Sequence, residues 1–257
     1  MKKSIVGLVA IGALVAGPAV AADLRMPVKA PPAPIAPVYS WTGLYIGAGV
    51  GGEWETIDGS FVFPPPASWE IKNSRGVADA HVGAQYQLSN VVFGVEGQFA
   101  GLFSNSGGTS ACNPATSCTA GATMRANLVD DIWSVGGRLG VAINAWMPYV
   151  TGGYASTRVD NTFTDVTGSD RSRTTHGGTY FGGGIDWQVL TRPGGALVAG
   201  IEYRHYEFQS QTVVPIIVAT GAPIAVNTWT IQPRADTIEA RLSWLFNFGG
   251  GPVAVRY

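Results

Sequence analysis

Alternate residues near the end of the chain, Ile238, Ala240, Leu242, Trp244, Phe246 and Phe248, are all apolar. The residues between them, Thr237, Glu239, Arg241, Ser243, Leu245 and Asn247, are mostly polar. Side chains alternate across a strand, so 234–248 reads as a strand with one apolar face and one ionic face. The same period of two predicts strands at 41–54, 77–88, 91–101, 128–142, 179–190 and 196–208. In 77–88, Val82, Tyr86 and Leu88 share one face, while Asp79, His81 and Gln85 share the other. In 91–101, Phe93, Val95 and Phe99 oppose Glu96 and Gln98; in 128–142, Trp133, Val135 and Leu139 oppose Ser134 and Arg138. In 179–190, Phe181, Ile185 and Trp187 oppose Asp186 and Gln188. In 196–208, Leu197, Ile201, Tyr203 and His205 oppose Glu202, Arg204 and Tyr206. A further strand at 149–158 alternates weakly, and the pattern does not set its phase.

The links between these segments alternate. Long ones at 55–76, 102–126, 159–177 and 209–233 are separated by short ones at 89–90, 143–148 and 191–195. Eight strands whose loop length segregates by end predict an all-β, transmembrane, eight-stranded antiparallel up-and-down barrel, with apolar residues toward lipid and polar residues toward the lumen. A soluble β-sandwich, such as a secreted lectin or adhesin, would turn the apolar row inward and has no reason to sort its loops by length. On the barrel reading, Trp41, Tyr86, Tyr149, Trp187, Trp244 and Phe248 fall near the short-turn rim, and Trp54 and Trp133 near the opposite rim, as interfacial belts.

Composition fits a membrane chain. Charged residues make up 13%, against about 25% in soluble domains. Lys+Arg 16 against Asp+Glu 17 leaves no basic field for nucleic acid. The first 22 residues read as a cleaved signal peptide: Lys2 and Lys3, an apolar run at 5–15, and Ala19-Val20-Ala21 before the cut. That run is too short to span a bilayer, and no later stretch predicts a membrane helix. Residues 23–39, rich in proline, form a semi-rigid periplasmic tether that clears the barrel from the export machinery and has peptidoglycan within reach. The barrel occupies 40–248 and a short tail 249–257. In an oxidising compartment Cys112 and Cys118 pair as a disulfide, whose small ring contributes about 2 kcal/mol.

Particular residues now carry a resemblance. Ala22-Asp23-Leu24 precedes the tether. Tyr39-Ser40-Trp41-Thr42-Gly43-Leu44-Tyr45-Ile46-Gly47 opens the first strand. Phe93-Gly94-Val95-Glu96-Gly97, Gly137-Arg138-Leu139-Gly140 and Tyr149-Val150-Thr151-Gly152-Gly153 follow. With these the chain resembles the eight-stranded outer-membrane barrels of the OmpA and opacity-protein type, especially the small immunogenic "porin family" proteins of alpha-class Gram-negative bacteria. The resemblance implies a place in the outer membrane, outer-membrane lipid as surroundings, and a C-terminal aromatic signal read by the barrel-assembly machinery. Trp244, Phe246 and Phe248 fit that signal, although 249–257 follows and leaves terminal Tyr257 as a second candidate for the last aromatic.

The inward row carries Asp79, Glu96, Asp186, Glu202 and Glu239 against Arg138, Arg204 and Arg241. Eight strands leave an interior only wide enough for side chains to fill, and an unpaired buried charge costs roughly 3–5 kcal/mol. The lumen is therefore expected to be closed by salt bridges, in a structural envelope protein exposed at the surface; a small-solute porin is the competing reading. Lys72, Arg75, Arg125, Arg158, Arg171 and Arg173 fall on loops or strand tops, where lipopolysaccharide phosphates are natural partners. No cofactor or metal is expected. Gly47-Ala48-Gly49-Val50-Gly51-Gly52 matches a dinucleotide fingerprint in letters only, since Pro64-Pro65-Pro66 follows where a helix is required. His176 and His205, with Asp130, Asp131, Asp160 or a loop serine, have no spacing that supports nucleophilic catalysis, so no enzyme is expected.

Overall fold

A computed structural model describes residues 39–61, 68–103, 109–111, 122–165, 167–224 and 228–247. The period-two segments form eight long strands: β1 Gly43–Phe61, β2 Ser68–Leu88, β3 Val91–Phe103, β4 Thr123–Val141, β5 Trp146–Asp165, β6 Gly168–Arg192, β7 Gly195–Phe208 and β8 Trp229–Phe246. Neighbours pair antiparallel in chain order. β1 also pairs with β8, from Leu44↔Phe246 to Phe61↔Trp229, so the sheet closes on itself. Three short strands extend it: Thr109–Ala111 on β4, Gln211–Val213 on β8 and Ile216–Ile217 on β6. The tight ends need left-handed backbone, which Ser89 (φ 58), Asn144 (φ 55) and Gly194 (φ 88) supply.

The apolar row faces outward. Leu242 is 52% exposed, while Glu239 is 1% and Arg241 5% exposed. Val82, Phe93, Val95, Leu139, Val150, Ile185 and Ile201 are likewise exposed. The last strand alone rules out a soluble sandwich, because its ionic face is the buried one. This outward band runs from Leu44 to Trp54 on β1 and from Phe93 to Phe103 on β3, close to the 9–11 residues a tilted strand needs to cross hydrocarbon. Trp146 and Trp187 stack at 5.2 Å on the short-turn rim, and Trp133 lies 5.6 Å from Tyr154 at the other.

Beyond the second belt the two faces exchange character. On β1, Thr56, Asp58 and Ser60 point out, and Ile57 and Phe61 point in. On β2, Glu70 and Lys72 are out, and Trp69 and Ile71 in; on β5, Arg158 is out, and Val159 and Phe163 in. On β8, Arg234 is out, and Trp229 and Ile231 in. Past the lipid, water lies outside, so the wall takes the pattern of a soluble protein. Most of the expected loop at 159–177 is therefore strand, with β5 and β6 paired as far as Asp165↔Gly168. The expected loops at 55–76 and 209–233 likewise give way to strand at both ends. The polar letters that suggested loops are the solvent face of an extended ladder.

Two aromatics turn inward rather than to the belt. Trp41 is 1% and Tyr149 5% exposed. Tyr149 sets the phase of β5, and its neighbour Val150 takes the lipid position. Cys112, Cys118, Phe248, Tyr257, the signal segment and nearly all of the tether lie outside the described residues.

Candidate functional site

The interior is built in layers, each dictated by which inward positions the strands present at that height. At the short-turn end Trp41, Tyr45, Val92, Met147, Tyr149, Val198 and Leu245 form an apolar plug. The chain entering β1 is fastened beneath it. Trp41 N–H donates to Gln87 Oε1 (2.9 Å), Trp41 Nε1–H to Asn144 O (3.3 Å), and Gln188 Nε2–H to Ser40 O (2.9 Å).

Above the plug lies the ionic layer. Glu96 on β3 is its hub: Arg204 lies 2.5 Å away, Arg241 2.8 Å and Arg138 3.6 Å. Each arginine has a second carboxylate. Arg138 meets Asp186 at 2.7 Å, Arg204 meets Glu202 at 2.7 Å, and Arg241 meets Glu202 at 2.6 Å. Tyrosines from the plug complete the shell. Tyr45 donates to Glu96 (2.7 Å), Tyr149 donates to Glu202 (2.8 Å), and the Arg138 guanidinium sits 3.8 Å from the centre of the Tyr149 ring. Beside this cluster, Asp79 holds His81 at 2.6 Å, His81 reaches Ser243 at 2.7 Å, and Gln98 donates to Glu239 at 2.8 Å. The room for these groups comes from glycines on the facing strand. A Cβ at Gly49 would collide with the Asp79 carboxylate, and one at Gly83 with the Tyr45 ring.

Of the eight expected interior charges, Glu96, Arg138, Asp186, Glu202, Arg204 and Arg241 form one cluster, whereas Asp79 and Glu239 turn to His81 and Gln98. The sequence reading missed a second ionic group nearer the outer end. Arg75, expected on the surface as a lipopolysaccharide contact, is instead 6% exposed and lies inside, 2.9 Å from Glu55 and 3.5 Å from Glu53. Its position in an odd-numbered inward row with Trp69, Ile71, Asn73 and Val77 was the available signal. The polar outward letters of 55–76, which read as a loop, mask that row.

The outermost layer is an apolar core that includes Ile57, Phe61, Trp69, Met124, Phe163, Tyr206, Phe208, Trp229 and Ile231. Phe61 contacts Phe163 and Trp229 edge-on at 5.6 and 6.3 Å. His176, fully buried near this core, donates Nδ1–H to Gln209 O at 3.0 Å, and its Nε2 has no partner. Burial lowers its pKa from the usual imidazole value, partly opposed by the bond to Gln209. The folded state thus binds fewer protons than the unfolded one just below about pH 6.5. Stability of the outer half is expected to fall as the pH drops from about 6.5 toward the depressed folded value. Hydrogen-exchange protection of the β5–β6 ladder, compared at neutral and mildly acidic pH, should drop in the wild type and stay level in His176→Asn.

The outer wall carries the remaining cations. Lys72 pairs with Glu70 at 2.8 Å and Arg158 with Asp131 at 2.8 Å. Arg171 and Arg173 share Asp160, through Arg171 Nε at 2.8 Å and Arg173 Nη2 at 3.0 Å. Burial opposes ionisation of Asp160, but the two guanidinium groups outweigh it and hold its pKa below the usual carboxylate value. Arg125 lies in register with Thr162, which is itself in register with Arg171. His205 and Tyr203 both bind Asp236, at 2.7 and 2.6 Å, on the outward face. Among the described residues neither His176 nor His205 hydrogen-bonds to a serine, and no three His, Cys, Asp or Glu side chains gather as a metal site.

The family comparison agrees with this architecture. A model of the "Outer membrane protein beta-barrel domain" matches residues 10–246. No curated protein matches the chain. Among solved structures it is similar to the outer membrane protease OmpT of Escherichia coli, at 8% identity and TM-score 0.48, covering 79% of this chain and 97% of that one. It is also similar to Neisserial surface protein A, at 13% identity and TM-score 0.34, covering 80% and 98%. The outer membrane protein OprG from Pseudomonas aeruginosa follows at 10% identity and TM-score 0.37, covering 79% and 96%. A closed eight-stranded ring with a lipid-facing apolar band, matched by that family model across most of its length, places the chain in the outer membrane of a Gram-negative bacterium, as a member of the outer membrane protein β-barrel family.

Proposed function

We propose that this protein is a structural barrel that contributes to envelope integrity, keeps its lumen shut, and holds its outer loops above the membrane. The observation that carries the reading is the stacking of plug, ionic cluster and outer apolar core along one narrow interior. Ions crossing such a lumen would have to break paired, desolvated charges and then pass two apolar layers. The test is purified protein in planar bilayers. The expected record shows no stable, reproducible conductance; steps of porin size would overturn the closed lumen in favour of a small-solute porin.

The same reading makes the protein non-enzymatic and free of cofactors, consistent with His176 being bound to a main-chain oxygen and His205 to a carboxylate. Trp244 and Phe246, with Phe248, serve as the signal for the barrel-assembly machinery, the tether approaches peptidoglycan, and Cys112 and Cys118 form a disulfide. Lipopolysaccharide is the proposed partner of the outer wall. Lys72, in register with Thr56 just past Trp54, and Arg158, four residues past Tyr154, lie nearest the headgroups. Arg125, Arg171 and Arg173 stand higher and face the phosphorylated saccharide. Surface exposure as an antigen or adhesin draws support from the same ladder, which carries the loops well clear of the lipid. Charge-neutralising substitutions of the five cations should reduce lipopolysaccharide co-purification; unchanged co-purification would count against the contact.

A further inference from the structure

Among the described residues, the outer part of the wall is interrupted between β6 and β7. The β6–β7 ladder ends at Gly178↔Phe208 and resumes on the far side of a gap as Arg171↔Ile216, where the chain returns along β6. Gln209 N–H to Gly177 O (2.8 Å) and Gln211 Nε2–H to Thr175 O (3.0 Å) bridge the lower edge, and Val218 N–H to Ser169 O (2.8 Å) ties the upper one. Between them a cleft of about 510 Å³ opens, lined by Arg171, Ser172, Arg173, Thr174, Val213, Val214 and Ile216. That volume suits a small organic ligand. Val214 (48% exposed) and Ile216 (43%) present hydrocarbon to it.

This apolar surface is not lipid-facing. Arg173 is eight residues beyond Phe181, the last large apolar residue of the band on β6, or roughly 20 Å higher for a strand tilted ~40°. The headgroup zone reaches only about 5–8 Å past the hydrocarbon. Exposed valine and isoleucine at that height, beside two arginines, offer a solution ligand an apolar wall and a cationic edge together. Charge selects its sign, because Arg171 and Arg173 share the single carboxylate of Asp160 and the cleft lining itself contains no acid.

We infer that this cleft binds a small amphiphilic anion: a short hydrocarbon body against Val213, Val214 and Ile216, with a phosphate or carboxylate head on the N–H groups of Arg171 and Arg173 that Asp160 leaves free. Guanidinium groups pair with either oxyanion through parallel N–H bonds, and the apolar walls reject a bare inorganic ion. The inference shares Arg171 and Arg173 with the proposed lipopolysaccharide contact but adds the apolar wall of Val213, Val214 and Ile216, so a loss on Ile216→Asn separates the two.

The experiment uses the full protein in lipopolysaccharide-free nanodiscs with isotopically labelled isoleucine and valine methyl groups. Hexyl phosphate, heptanoate, hexanol and inorganic phosphate are titrated separately. Hexyl phosphate or heptanoate should shift the Ile216 and Val214 methyl signals saturably, and the stronger of the two identifies the preferred head. Hexanol and inorganic phosphate should bind at least tenfold more weakly. The double variant Arg171→Gln, Arg173→Gln should lose at least tenfold in affinity for the anion while its response to hexanol is unchanged. Ile216→Asn, which keeps both arginines, should weaken hexyl phosphate severalfold. Equal binding of hexanol and hexyl phosphate, or an undiminished response in the double variant, would overturn the inference.

Discussion

Glu96→Ala should lower the stability of the folded barrel by about 3–5 kcal/mol, the usual consequence of removing one partner from a buried ionic group. Glu96 is the carboxylate that touches all three arginines of the ionic cluster, Arg138, Arg204 and Arg241. With Asp186 and Glu202 it balances them charge for charge, so its loss leaves a net positive charge among residues that are at most 7% exposed. It also orphans the Tyr45 hydroxyl, which donates to Glu96 at 2.7 Å. Removing an arginine along with it should restore part of the loss. Glu96→Ala combined with Arg204→Met is expected to cost less than the sum of the two single changes, because neutral replacement of a buried pair avoids the stranded charge. Urea unfolding in lipid vesicles, followed by the mobility shift of folded against heated protein, measures all three. A single variant as stable as the wild type would show that the cluster is not tightly desolvated.

Trp229→Ala should cost a similar amount, about 3–5 kcal/mol for a large aromatic removed from a packed core, but in a different place. Trp229 is fully buried in the outer apolar core, edge-on to Phe61, with Ile231 in the same inward row. It lies beyond the lipid-facing band, in register with Phe61 at the far end of the β1–β8 seam. The cavity should therefore loosen the outer ladder while the membrane portion keeps its ionic cluster. Added protease should cut the outer strands of Trp229→Ala faster than those of the wild type, with the gel shift of the membrane barrel preserved. Loss of both together would mean that the outer half and the membrane half fold as one cooperative unit. Single substitutions of Arg158, Arg171 or Arg173 on the outer wall should change stability by about 1 kcal/mol or less, because these arginines are themselves about half exposed.

The separation between these two effects explains what was readable beforehand. Period-two alternation made the strands legible wherever lipid lay on one side, since every lipid-facing position must be apolar: Phe93, Val95 and Phe99 on β3 or Ile238, Ala240 and Leu242 on β8. The same rule applied blindly failed above the membrane. There Glu70, Lys72, Arg171 and Arg173 occupy outward positions, and a strand looks like a polar loop unless its inward partners, Trp69, Ile71 or Phe163, are followed as well. Arg75 reads as a surface cation for that reason, although it lies inside. Tyr149-Val150-Thr151 resisted assignment because each residue suits either side of a wall, and only the register of β5 with β4 and β6 sets its phase.

The sequence by itself determined the number of membrane strands, their two faces and the inward identity of the charged residues, because a strand's alternation and the demands of hydrocarbon are local properties of consecutive residues. Only the tertiary structure decided which charge meets which. Glu96 and Arg204 are 108 residues apart in the chain, and closure of β1 on β8 brings them within hydrogen-bonding distance. It also decided where the polar and apolar faces exchange, and that a cleft remains where the returning chain leaves β6 incompletely paired. Those features depend on the stagger of strands around a closed ring, which no stretch of sequence contains alone.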